Sequence, residues 1–136
     1  MVMNLMKRVA IVTLALMLLV NLASFGQDGD IIASARDAIK AGSAKELAKH
    51  LNQTVDLTID GKLESYSKAQ AEFVLRDFFK EHPPTEFTII HQGQSKGGQP
   101  YAIGQYKSGD STYRIWMKIK AVDKRQIIHE ITIVKE

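Results

Sequence analysis

The apolar positions of this chain fall into three successive patterns: one unbroken run, then helical stripes, then alternation. The run is Val9 to Val20, twelve residues interrupted only by Thr13, with Lys7 and Arg8 before it and Asn21, Ala23, Ser24 and Gly26 after it. A basic start, an apolar middle and small residues for a peptidase are the order of a secretory signal peptide. A membrane anchor would need about 20 apolar residues, and extending the run to Phe25 crosses Asn21 and Ser24. Residues 1–26 are therefore expected to be a cleaved leader, cut after Gly26 or alternatively after Ala23. The mature chain, residues 27–136, is then expected in the periplasm or outside the cell, with no stable membrane anchor.

Ile31, Ile32, Ala35, Ala38 and Ile39 recur at helical spacing, which predicts a helix capped by Asp28 or Asp30 and closed by Gly42 near Ala41. Ser43 with Glu46 reads as a capping box opening a short second helix, with Leu47 and Leu51 one turn apart on its buried side. Val55, Leu57 and Ile59 alternate with Asp56, Thr58 and Asp60, Asp60-Gly61 is a turn signal, and Lys62 to Tyr66 reads as the returning strand. Ser67 and Gln70 form another capping box, opening a helix over 68–81 with the stripe Ala71, Val74, Leu75, Phe78 and Phe79. Glu72 and Arg76 are spaced to pair on its wet side, and Pro83-Pro84 stops it.

Four strands are expected after it, at about 86–94, 100–107, 111–122 and 126–135, joined by Gly97-Gly98, Ser108-Gly109-Asp110 and Asp123-Lys124-Arg125. Connections this short imply antiparallel hairpins. The predicted class is α+β, with helices packed on one face of a curved antiparallel sheet. Strand parity sorts the side chains. Tyr113, Ile115, Met117, Ile119 and Ala121 share one face, and Thr112, Arg114, Trp116, Lys118 and Lys120 the other. The same rule sends Phe87, Ile89 and His91 inward, and Ile127, His129, Ile131 and Ile133 with them.

Composition narrows the class. Apolar residues are 45% and charged residues 24% of the 136, as in an ordinary globular domain. The net charge of +3 shrinks once Lys7 and Arg8 leave, to 16 basic against 15 acidic residues. No nucleic-acid footprint is expected from so even a balance. The chain has no cysteine, which excludes disulfides, thiolate metal sites, a cysteine nucleophile and a lipidated-cysteine anchor.

The stretches Tyr66-Ser67-Lys68-Ala69-Gln70-Ala71, Phe78-Phe79, Tyr101-Ala102-Ile103-Gly104-Gln105-Tyr106 and Tyr113-Arg114 resemble the nuclear-transport-factor-2-like (cystatin-like) cone fold. That fold also hosts ketosteroid isomerases and polyketide cyclases. More closely, the chain resembles a domain-of-unknown-function family of small exported bacterial proteins placed in that superfamily. The resemblance implies the cone and, through the close family, no assigned activity. Isomerase chemistry on such a cone needs an inward carboxylate base and an acid for the oxyanion. The predicted inward strand positions hold neither Asp nor Glu, since Glu130, Asp56 and Asp60 fall on polar faces.

Two candidate sites follow. The first is a pocket for a small hydrophobic ligand, with His91, Tyr113 and His129 as its polar groups; alternatively the two histidines sit near sheet ends, satisfied by backbone or solvent. The second is an outer-face interface of Arg114, Trp116 and Lys118, mediating a homodimer through the sheet; alternatively Trp116 lies across the stems of Lys118 and Lys120. No cofactor or metal is expected, because the four histidines, His50, His82, His91 and His129, show no HxH or HExxH spacing. Three readings stay open: a non-catalytic ligand- or protein-binding module of the cell envelope, a small isomerase- or dehydratase-like enzyme using a pocket histidine, and a structural homodimer.

Overall fold

A computed structural model describes Asn4 and residues 30–136. The expected leader, residues 1–26, lies outside the described residues. Ile31–Glu136 form one unit with its own core.

Helix α1 (Ile31–Lys40) buries Ala35, Ala38 and Ile39. Gly42 ends it with φ +66°, donating to Ile39 O at 2.9 Å while Ser43 N–H reaches back to Ala38 O at 2.9 Å. This pair of bonds is a Schellman stop, which needs a left-handed residue where glycine stands. Helix α2 (Ala44–Ala48) is capped by Ser43, whose side chain accepts from Glu46 N–H at 3.1 Å. Only half of the expected capping box forms, because the Glu46 carboxylate turns to Lys49, with both oxygens 3.0 Å from Nζ. Leu51 is not helical as expected. It opens strand β1 (Leu51–Ile59), where it remains buried.

β1 turns through Asp60 (φ 53°) and Gly61 (φ 79°) into β2 (Lys62–Ser67). Helix α3 (Lys68–Glu81) spans the predicted residues and carries the full Ser67–Gln70 capping box. Its half-buried Glu72 and exposed Arg76 pair at 3.0 Å. Strands β3 (Glu86–Gln94), β4 (Pro100–Ser108), β5 (Ser111–Val122) and β6 (Arg125–Lys135) form the expected antiparallel meander.

The sequence pattern did not show how the early hairpin joins this meander. All six strands make one sheet, in the order β2-β1-β6-β5-β4-β3, through a parallel pairing of β1 with β6. The core lies between the helices and the inner sheet face, where Tyr106, Tyr113, Ile115, Met117 and Ile131 are almost fully buried. Among the described residues no helix is long and apolar enough to cross a membrane.

Three irregularities shape the sheet. Between Ile89 and His91 the β3–β4 register slips, leaving Ile90 as an extra residue. Between Lys118 and Ile119 the β5–β6 register slips, leaving His129 extra on β6. Between Leu51 and Asp56 strand β1 takes five steps while β6 takes only two, from Ile128 to Glu130. An extra residue reverses side-chain parity beyond it. Two face assignments made from strict alternation are corrected on this ground. His91 pairs with Ile103, itself opposite Trp116, and so lies on the outer face and is exposed. In β6, Ile128 is the fully buried residue, opposite Ile119, while Ile127 is drawn out beside Lys120. Ala121, expected inside, is exposed near the end of β5.

Candidate functional site

The inner face is dominated by rings. Phe78 on α3 stands 5.5 Å from Tyr106 and 5.3 Å from Tyr113, edge-on to the latter, and Phe87 and Phe79 flank Tyr106 at 6.3 and 6.2 Å. Edge-to-face packing at these spacings is favourable for aromatic quadrupoles. Tyr113, a predicted pocket residue, does point inward, and its hydroxyl lies 3.1 Å from Nδ1 of His82. Tyr106 donates to the His82 carbonyl, and burial, helped by the nearby Tyr113, holds its phenol above the ordinary value. His82 is the C-cap of α3, its own N–H returning to Phe78 O at 2.9 Å. The two tyrosines thus tie the end of the helix to the sheet. Sequence reasoning passed over His82, although its place before Pro83-Pro84 marked it as a helix terminus whose backbone needs outside partners.

The predicted pocket trio is not brought together. Tyr113 is in the core, His91 is outside, and His129 sits at the β6 bulge. His91 Nε2 lies 3.0 Å from the Tyr101 hydroxyl, and the Tyr101 ring folds across Gly93. His129 Nε2 is buried without a hydrogen-bond partner among the described residues. Burial is the main cause that holds His129 below the ordinary imidazole value. Lys120 and Lys118 on β5 act in the same sense, and Glu130 and Asp56 oppose them.

A depressed histidine stabilises the fold in its neutral form. That contribution is complete above the unfolded value of about 6.5 and is lost as pH falls toward the folded value. We expect the melting temperature of the parent to drop relative to His129→Leu as pH is lowered from about 6.5 to below the folded value. A difference between the two that stays constant with pH would contradict this. His50, lowered chiefly by burial, is present in both proteins and cancels.

The outer face is the more organised surface. One row of paired residues crosses all six strands: Leu63, Thr58, Thr132, Trp116, Ile103 and His91. Ile103 is 9% exposed although none of the described helices covers this side, and Trp116 beside it is 39% exposed. Val134, opposite Arg114, and Ile90 at the bulge add exposed apolar area. Arg114, Trp116 and Lys118 stand together on this face as parity predicted. The charges flanking Trp116 are already neutralised: Arg114 with Glu136 at 2.8 Å and Lys118 with Glu130 at 3.2 Å. Among the described residues no three His, Asp or Glu side chains converge as a metal site.

The comparisons agree with this architecture. The chain is similar to a structure from Bacteroides uniformis of a DUF4783 family protein, at 29% identity, covering 79% of this chain and 98% of that one with a TM-score of 0.73. A DUF4783 family protein from Bacteroides fragilis is matched at 28% identity over 79% of this chain and 100% of its own, also at 0.73. An NTF2-like protein of unknown function from Shewanella baltica, 10% identical, shares the fold, covering 85% of this chain and 95% of that one at a TM-score of 0.59. No curated protein matches the chain. The family model described as "Domain of unknown function (DUF4783)" matches residues 32–134, so this α+β cone with its NTF2-like sheet belongs to the DUF4783 family.

Proposed function

We propose that this protein is a non-catalytic binding module that acts outside the cytoplasm and pairs with a second copy of itself through the outer sheet face. The observation that carries this reading is the exposed apolar area on the outer face, Trp116 with Ile103 beside it and Leu63, Ile90 and Val134 around them. Sheets with one face on the core and the other unsheltered normally alternate apolar-in and polar-out. Here the outward positions include tryptophan, isoleucine, leucine and valine. Trp at the centre of a patch with a polar rim is the composition of an interface anchor.

The occupant follows from charge and size. The flanking ions are paired within the face, so the surface does not call for a partner of opposite sign. A like surface, related by a two-fold axis, meets it without repulsion. Six strands spaced about 4.8 Å apart, each on the order of 30 Å long, offer roughly 750 Å². That is close to the approximately 800 Å² per partner of a standard stable interface. Export is supported by the leader pattern of residues 1–26.

Sedimentation of the chain lacking residues 1–26 tests the reading. A concentration-dependent dimer is expected, and Trp116→Ala should weaken it by about 30-fold or more, the signature of an interface hot spot. The melting temperature at low concentration should be nearly unchanged, because Trp116 is not part of the inner core. A monomer at high concentration in the parent chain would dispose of the proposal.

A further inference from the structure

A second surface, unrelated to the outer face, is built where β1 leaves the regular ladder. The excursion between Leu51 and Asp56 takes Asn52 and Gln53 out of register with β6 and opens two adjoining hollows. One, of about 630 Å³, lies between α2, the start of α3 and β1, and includes Lys45, Lys49, Gln53 and Lys68. The other, of about 260 Å³, reaches the β5–β6 turn and adds Arg125 to the shared Lys49, Gln53 and Lys68. Ala48 and Ala69 line the first, and Leu51 and Ile127 the second.

The charge of this groove is one-sided. Four cations, Lys45 and Lys49 at α2, Lys68 at the start of α3 and Arg125 at the start of β6, face two lining carboxylates, Glu72 and Asp123. Glu72 is already held by Arg76 at 3.0 Å, and Lys49 is held by Glu46. Lys45, Lys68 and Arg125 make no ion pair among the described residues. Three like charges that make no ion pair repel one another across the groove, with Asp123 as the one lining carboxylate not already held by a cation, and a bound anion relieves that cost. Arg125 and Lys68 also act on His50, next to the groove. Burial is the first cause holding its imidazole low; Glu46 opposes it, and Lys49, Arg125 and Lys68, each acting less than Glu46, add to the lowering.

We propose that this groove is a binding site for a small multivalent anion, taking one phosphoryl or carboxylate group in each hollow. Lys45 and Lys68 face the group in the larger hollow. Arg125 presents its planar fork to the one in the smaller. Gln53, shared by both, supplies an amide donor between them. The same chemistry serves a free anion or the headgroup of an anionic lipid.

The test uses the chain without residues 1–26, whose described part is a self-contained unit and whose solved Bacteroides relatives are matched over 98% and 100% of their lengths. Inorganic pyrophosphate and citrate are titrated calorimetrically at fixed ionic strength in a phosphate-free buffer. Vesicles of phosphatidylcholine, with and without phosphatidylglycerol, are sedimented with the protein. Saturable one-to-one binding of either anion is expected, weakening with added salt. The double variant Lys68→Gln/Arg125→Gln should bind at least about tenfold more weakly. Lys135→Gln, at the opposite end of β6, should bind like the parent. Binding only to phosphatidylglycerol vesicles, abolished in the double variant, supports the site and identifies the lipid headgroup as its source. The proposal is overturned by an absence of binding in every arm, or by binding that falls equally in Lys135→Gln and the double variant.

Discussion

Replacing Phe78 by alanine is expected to cost about 3–5 kcal/mol of stability, which is a large share of the roughly 5–15 kcal/mol that holds a domain of this size. Phe78 is 6% exposed and is the ring on which the others converge. Tyr106, Tyr113 and His82 lie at 5.5, 5.3 and 5.1 Å, and Phe79 at 6.0 Å. Three of those neighbours are tied to each other by hydrogen bonds through His82 and cannot collapse into the space freely. The cavity should therefore stay open, which places this substitution toward the costly end of its class. Phe78→Leu, which keeps most of the volume, should cost distinctly less. Urea unfolding of the two variants measures the difference. A loss below about 1.5 kcal/mol for Phe78→Ala would show that the site collapses and the ring cluster is not what joins α3 to the sheet.

Gly104→Ala should be nearly as damaging, by the opposite mechanism. Gly104 faces the core from the middle of β4, between Ile89 and Ile115. A methyl group there would run into Cζ and Cε1 of the Phe87 ring. Phe87 is 3% exposed and backed by Tyr106, so it has nowhere to turn. Overpacking of this kind costs about 3 kcal/mol, a fall in melting temperature of roughly 12 °C or more for a domain near 100 residues. The cause is checked by a double-mutant cycle. Phe87→Leu lowers stability alone, yet Gly104→Ala should cost less in its presence, with a coupling of about 1 kcal/mol or more. Strict additivity would mean that the ring is not the obstacle.

These two sites show why a glycine and a paired phenylalanine in the sequence carry more than their propensities suggest. The Phe78-Phe79 pair was legible as the buried stripe of a helix, because helical spacing alone assigns it. That Phe78 would meet Tyr106 and Tyr113 was not legible, since those residues come more than 25 positions later. Gly104 gave no signal beyond its presence in an apolar strand. Only the register that sets Phe87 opposite Tyr106 lays a ring across it.

The candidate site divides in the same way. Arg114, Trp116 and Lys118 lie on the face that simple alternation predicts, because β5 is regular from Thr112 to Lys118. His91 was misplaced because it adjoins a bulge, and His129 left the ladder because it occupies one. One extra residue turns an inward histidine outward, and no pattern in the apolar residues announces it. The trio of His91, Tyr113 and His129 therefore exists as a list of residues sharing a parity, and not as a pocket.

Local chemistry in the chain was enough for the α+β class, the bounds of α3 from its capping box to Pro83-Pro84, the Asp60-Gly61 turn and the order of the meander. Those features depend on contacts between residues a few positions apart, which any stretch of sequence contains within itself. The parallel pairing of β1 with β6, the three register slips, the Tyr–His clamp on α3 and the cationic groove were decided only by tertiary structure. Each depends on which distant segments lie side by side, and that outcome is settled by the burial of the whole core at once.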